Sequence, residues 1–184
     1  MHPVLKVELH RLADTVRGLS LEEAQVHPLP GIGRWSAQEI VEHLILSYKF
    51  TSEEVKKRLD KGQSPRRRRG ILEIFLRLQT LGLGNMTTGV PSMLRLKPKA
   101  YTPCAGPELA ERFLAAGEEM DAVLAEARRK FGIQACGEHP MYGVLRVDEW
   151  RRYHAVHARH HMGQLKNTIQ YARSQAGSVP AQRA

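Results

Sequence analysis

Apolar residues recur along most of the chain at steps of three and four, the spacing that lays one side of an α-helix against a core. Leu5, Val7, Leu9, Leu12 and Val16 define a first amphipathic helix from about Pro3 to Leu19. Ser20 followed by Glu23 is a capping box and predicts one further short turn, before His27-Pro-Leu-Pro-Gly31 breaks the helical pattern. Ser36 and Glu39 make a second capping box, and Trp35 is placed to staple onto Ile40. Ile40, Val41, Leu44, Ile45, Tyr48 and Val55 then carry a helix to about Leu59.

Lys61 to Gly70 reads as a polar, basic loop, and Ile71 to Leu81 as a short apolar helix. Gly82 to Gly106 is rich in glycine and proline and reads as a long irregular connection, of a length that often carries function. Gly106-Pro107-Glu108 opens the next helix, with Pro at its first position and a stripe of Leu109, Phe113, Ala116, Met120, Val123 and Ala127. Gly132 to Gly143 reads as a second connection. Asp148 is placed to cap a last helix from about Glu149 to Ala172, and the small, polar tail from Ser174 reads as disordered. No internal repeat and no strand stand out. The expectation is a single all-α domain over residues 1–173, a bundle of four or five helices, with 174–184 as its tail.

Composition narrows the class. The chain has 184 residues, 42% hydrophobic and 26% charged, as ordinary globular proteins do. No apolar run reaches the roughly 18 residues of a membrane span, so no membrane partner is expected. The charged amphipathic N-terminus lacks the apolar core of a secretory signal, and a cytoplasmic protein is expected. Cys104 and Cys136 lie far apart and form no CxxC pair, which fits a reduced compartment and a metal site without cysteine. The net charge of +9 favours an acidic partner: nucleic acid, an anionic membrane surface or an anionic cosubstrate. Arg66 to Arg69 form part of that surplus and read as a solvated loop. No helix-turn-helix, RNA-binding or zinc-finger pattern accompanies them, so nucleic acid is not the expected partner.

The chemistry lies on the last helix. Trp150, His154, His157, His161, Leu165, Thr168 and Ala172 fall on one side, which the flanking Trp and apolar residues mark as core-facing. Buried imidazoles need partners for a donor and an acceptor each. His157 and His161, four apart, can converge on one metal ion, and a third ligand should come from another helix. His43 is that candidate, because Ser36, Ile40, His43 and Ser47 form a row beside the buried stripe of the second helix. Three histidines with one open position are the pattern of a catalytic metal site. An isolated HxxxH is a weak signal, more often structural or exposed, and His154 competes for a place in the set. His160 points elsewhere as an exposed or supporting residue, and Gln164 lies within reach of an imidazole or bound water. Imidazole ligands suit zinc, nickel, iron and copper alike, so the metal's identity stays open.

Trp35-Ser-Ala-Gln-Glu-Ile-Val-Glu-His43-Leu44 resembles the W-S-x-x-E-[IL]-x-x-H-L segment of the DinB-like superfamily of metal-binding helical bundles. His157-Ala-Arg-His-His161-Met-Gly-Gln164-Leu165 is similar to its H-x-x-H-H-x-x-Q-[LI] segment. His139-Pro-Met-Tyr-Gly143 with Asp148-Glu149-Trp150 resembles an HP-x-[FY]-G…EW lead-in of one DinB-like subgroup. The resemblance implies a four-helix bundle with short additional helices and one divalent metal ion on His43, His157 and His161. It places His154 and His160 outside that triad. It also implies a small-molecule substrate and a possible homodimer. Metal-activated thiol transfer with a low-molecular-weight thiol as cosubstrate is the favoured activity. A metal-dependent hydrolase, a non-catalytic metal-binding bundle and a nucleic-acid-binding protein are the alternatives. The sequence shows no separate motif for a nucleophile or a general base, and Glu39, Glu42 and Glu53 are expected in cap or surface roles.

Overall fold

The structure, a computed structural model, describes residues 1–29, 35–68, 70–86, 96–99 and 101–176. The order is α1 (Pro3–Arg17), α2 (Leu21–Gln25), α3 (Ala37–Lys61), α4 (Ile71–Arg77), a π turn (Leu78–Gly82), α5 (Gly106–Phe131), β1 (Ala135–His139), β2 (Gly143–Arg146) and α6 (Val147–Ala176). The chain is predominantly helical. None of the described helices is long and apolar enough to cross a membrane.

Both capping boxes form. Ser20 accepts from the Glu23 N–H while Glu23 accepts from the Ser20 N–H, and Ser36 and Glu39 repeat the exchange at the start of α3. α3 ends on Gly62, whose φ of 64° lies in the left-handed region that a side chain resists. α5 starts at Gly106, which places Pro107 at the second helical position rather than the first.

α1 and α3 each pack against both α5 and α6. Leu5, Leu9, Leu12, Ala13 and Val16 form the buried side of α1. Tyr48 of α3 meets Phe113 of α5 at a ring separation of 5.6 Å. Gly117 allows close approach of α1 and α5, for a Cβ there would lie 2.4 Å from Leu9 Cδ2. A Cβ on Gly106 would lie 2.0 Å from the Val16 carbonyl oxygen, so only glycine fits where α5 begins against the end of α1.

Several expectations need correction. The connection from Gly132 to Gly143 is not strandless: β1 and β2 pair as an antiparallel hairpin with an irregularity between Ala135 and Gly137. His139 to Gly143 form its turn, and Gly143 takes a φ of 66°. The described residues are therefore all-α apart from this hairpin. Asp148 does not cap α6, because the helix already begins at Val147. Glu149 reaches back instead to accept the Arg146 N–H at 2.8 Å, while Asp148 pairs with Arg128 at 2.9 Å. Val7 is exposed rather than part of the buried stripe. The expected helix over Ile71–Leu81 turns from α to π at Leu78. α6 extends to Ala176, past the expected start of the tail at Ser174. Residues 177–184, Pro30 and Gly31 of the expected break, Arg69 of the arginine run, and 87–95 and 100 of the long connection lie outside the described residues.

Candidate metal centre

The capping box fixes where α3 starts and so which residues face inward. Ser36, Ile40, His43 and Ser47 are all buried, as the row predicts. On α6 the whole row of Trp150, His154, His157, His161, Leu165, Thr168 and Ala172 is buried. Packing α3 against α6 brings the two rows face to face. His43 Nε2 lies 3.2 Å from His157 Nε2, and His157 Nε2 lies 3.0 Å from His161 Nε2. Among the described residues, these three offer ligand atoms all within 4.8 Å of one another. The Trp35 ring lies 5.0 Å from His43, and Tyr153 stacks 5.4 Å from His157.

The outer nitrogens set the tautomers. His43 Nδ1 donates to the Leu96 carbonyl at 2.8 Å, and His161 Nδ1 donates to Gln164 Oε1 at 2.8 Å. Both acceptors are carbonyl oxygens, so both Nδ1 atoms carry the hydrogen and both Nε2 atoms present lone pairs. Burial pushes the His43 imidazole below its ordinary range, although the Leu96 carbonyl opposes it. Burial and the neighbouring His43 take His161 down to about 3. His157 is lowered well below the ordinary value, first by burial and then by its histidine neighbours. The rings are thus neutral at pH 7.

A neutral His157 has at most one hydrogen to give from Nε2, and two lone pairs face it. His157 Nδ1 is meanwhile buried without a hydrogen-bond partner among the described residues. A divalent cation is the complement to three converging lone pairs. A tetrahedral ion with nitrogen at about 2.0–2.1 Å needs ligand atoms about 3.3 Å apart, and the His43–His157 and His157–His161 separations lie close to that. The residues fit a metal.

His154 and His160 flank this set without joining it. His154 Nε2 shares a hydrogen bond of 2.9 Å with the Thr51 hydroxyl, and its ring packs 5.0 Å from Tyr48. The half-buried His160 ring lies 5.1 Å from His161. Gln164, read from sequence as within reach of an imidazole, holds the His161 ring.

Two features were not legible beforehand. The Leu96 carbonyl is a backbone group in the long connection, and no side-chain pattern marks it. Glu42, expected in a cap or surface role, is buried beside His43 and pairs with Arg112 at 2.7 Å. Its neighbour Gln38 donates to the Thr102 carbonyl at 2.9 Å and accepts the Cys104 N–H at 3.0 Å. These contacts tie the end of the long connection to α3. Gln38 and Glu42 stand four apart on α3, the one sequence signal for a shared inward role. Glu39 is a cap residue as expected, and Glu53 is exposed. Cys104 and Cys136 are both free and buried.

No curated protein and no solved structure matches the chain. The sequence family described as "Protein of unknown function (DUF1569)" matches residues 5–168, from the first buried leucine of α1 to the buried Thr168 of α6. All three histidines fall inside that stretch, and the chain belongs to this family.

Proposed function

We propose that this protein is a divalent-metal-dependent enzyme of the DinB-like four-helix-bundle type that transfers a low-molecular-weight thiol to a small electrophile. The observation that carries the reading is the convergence of the His43, His157 and His161 Nε2 atoms, three imidazoles that would hold a divalent ion and leave it open to an exogenous group. A bound divalent ion lowers the pKa of a thiol or water at that position and so supplies a nucleophile near neutral pH.

The chain's own groups prepare the site. The Leu96 carbonyl and Gln164 hold His43 and His161 in the tautomer that turns Nε2 inward. The Trp35 and Tyr153 rings pack beside the imidazoles. The surplus of positive charge draws in an anionic thiol such as glutathione or bacillithiol.

The test loads the protein with zinc, nickel or ferrous iron and offers a panel of thiols with alkylating electrophiles. Thiol consumption and product mass are followed. Consumption that needs both metal and thiol, and disappears in His43→Ala, supports the proposal. Hydrolysis of esters or amides without any thiol would put a hydrolase in its place. Tight metal binding with neither activity would leave a non-catalytic metal-binding bundle.

A further inference from the structure

The segment from Ile71 through the π turn presents its apolar stripe outward. Ile71, Ile74, Phe75 and Leu78 stand at helical steps of three, four and seven, and are 88, 55, 62 and 63% exposed. Leu72 and Leu83 extend the patch at 68 and 70%. The opposite side holds the segment to the protein. Thr80 and Leu81 are buried, and Arg77 pairs with Glu149 and donates to the Val144 carbonyl at 3.0 Å. The orientation is thus fixed by tertiary contacts, and a patch of apolar side chains is left facing water. Such patches mark interaction surfaces.

Positive charge borders the stripe. Arg67 is tied to Glu73 and Glu138, but Arg66 and Arg68 are exposed, and neither has a carboxylate partner among the described residues. Arg67, Arg68 and Arg77 line a shallow, open depression together with Ile74 and Val144. Bulky apolar side chains near Arg66 and Arg68, which have no carboxylate partner among the described residues, on a chain of net charge +9, complement one kind of surface.

We infer that this face seats on the surface of an anionic lipid bilayer. Ile71, Ile74, Phe75 and Leu78 enter the boundary between headgroups and acyl chains, and Arg66 and Arg68 meet the lipid phosphates and carboxylates. Lying on a surface is a different relation to lipid from spanning it, and nothing in the inference needs a membrane-crossing helix. A nucleic acid would engage the arginines but leave the four apolar side chains in water, so lipid is the better match. The inference is independent of the metal chemistry.

Co-sedimentation of the full chain tests it, using vesicles of phosphatidylcholine alone and vesicles with about 30 mol % phosphatidylserine. The expected result is binding about tenfold or more stronger to the anionic vesicles, partly reversed by salt. Ile71→Ser/Phe75→Ser should abolish binding to both vesicle types, and Arg66→Ser/Arg68→Ser should remove the preference for anionic lipid. Both variants alter exposed side chains, and an unchanged circular dichroism spectrum and Tm would show that the fold is intact. Equal or absent binding to the two vesicle types would overturn the inference. So would a wild-type dimer that Phe75→Ser converts to monomer, because a second copy then covers the stripe. Binding to duplex DNA or RNA that outcompetes the vesicles and ignores the apolar substitutions would overturn it too.

Discussion

The Thr51 hydroxyl and His154 Nε2 share a hydrogen bond of 2.9 Å, and that contact separates His154 from the triad one turn further along α6. Its Nε2 is engaged by that contact, and its ring is held among Tyr48, Trp150 and Tyr153. Wild-type protein should bind about one divalent ion per chain. The His157→Ala/His161→Ala double variant should lose it, and His43→Ala should weaken it severely. His154→Gln and His160→Ala should keep it. Metal content after dialysis, read by elemental analysis, decides the matter, and full retention in the double variant would remove the site from α6.

Gln164 would act on a bound metal through His161. Its Oε1 accepts the hydrogen on His161 Nδ1 at 2.8 Å and so fixes both tautomer and ring orientation. Loss of such a support typically costs 10- to 100-fold in metal affinity. Gln164→Leu should therefore weaken binding by about that factor, whereas Gln164→Glu, which keeps an acceptor at the same place, should not. Competition with a chromophoric chelator measures the difference. Equal affinities for wild type and Gln164→Leu would show that the ring is held by packing alone.

How much of this was readable depends on the range of the interactions involved. The triad was legible because helical period is a local property: Trp150 and Leu165 mark the inward side of α6, and the Ser36–Glu39 box fixes the register of His43 on α3. The hairpin was not, because β1 is only Ala-Cys-Gly-Glu-His and β2 Gly-Val-Leu-Arg, too short and too mixed for a period of two to show. Glu42 was misplaced because Arg112, its partner, is 70 residues away and meets it only when α3 packs on α5. The stripe of α4 was recognised as helical, but its direction was not. An i, i+3, i+4, i+7 pattern gives a face, and only the tertiary anchors at Thr80, Leu81 and Arg77 show that this face points outward.

Glu149 links the hairpin to the site-bearing helix. It accepts the Arg146 N–H at 2.8 Å and pairs with Arg77, whose guanidinium also reaches the Val144 carbonyl. Burial alone would raise its carboxyl pKa, but the Arg146 hydrogen bonds and the Arg77 charge outweigh burial and hold it below the ordinary value. A carboxylate with a depressed folded pKa stabilises the protein fully above its unfolded pKa, and this contribution fades as pH falls through the folded value. Glu149→Gln should cost about 2 kcal/mol at pH 7, the scale of a hydrogen bond to a charged group. The gap to wild type should narrow as the pH drops below about 4. Urea unfolding across that range checks it, and a gap constant from neutral to acid pH would mean that the charge contributes nothing.

Neither cysteine is suited to be the nucleophile of the proposed thiol transfer. Cys136 is fully buried in β1, and burial pushes its thiol up to about 12. Burial also raises Cys104, and the Arg112 guanidinium 3.4 Å from its sulfur does not offset the effect. At neutral pH both remain protonated, whereas the reactive form of a thiol is the thiolate. Iodoacetamide should therefore leave both unlabelled in the native protein and modify both in urea. A Cys104→Ser/Cys136→Ala double variant should keep its metal content and its rate of thiol consumption to within about twofold, since neither change touches the three imidazoles. If the double variant keeps the metal but loses the activity, the sulfur that reacts belongs to the protein.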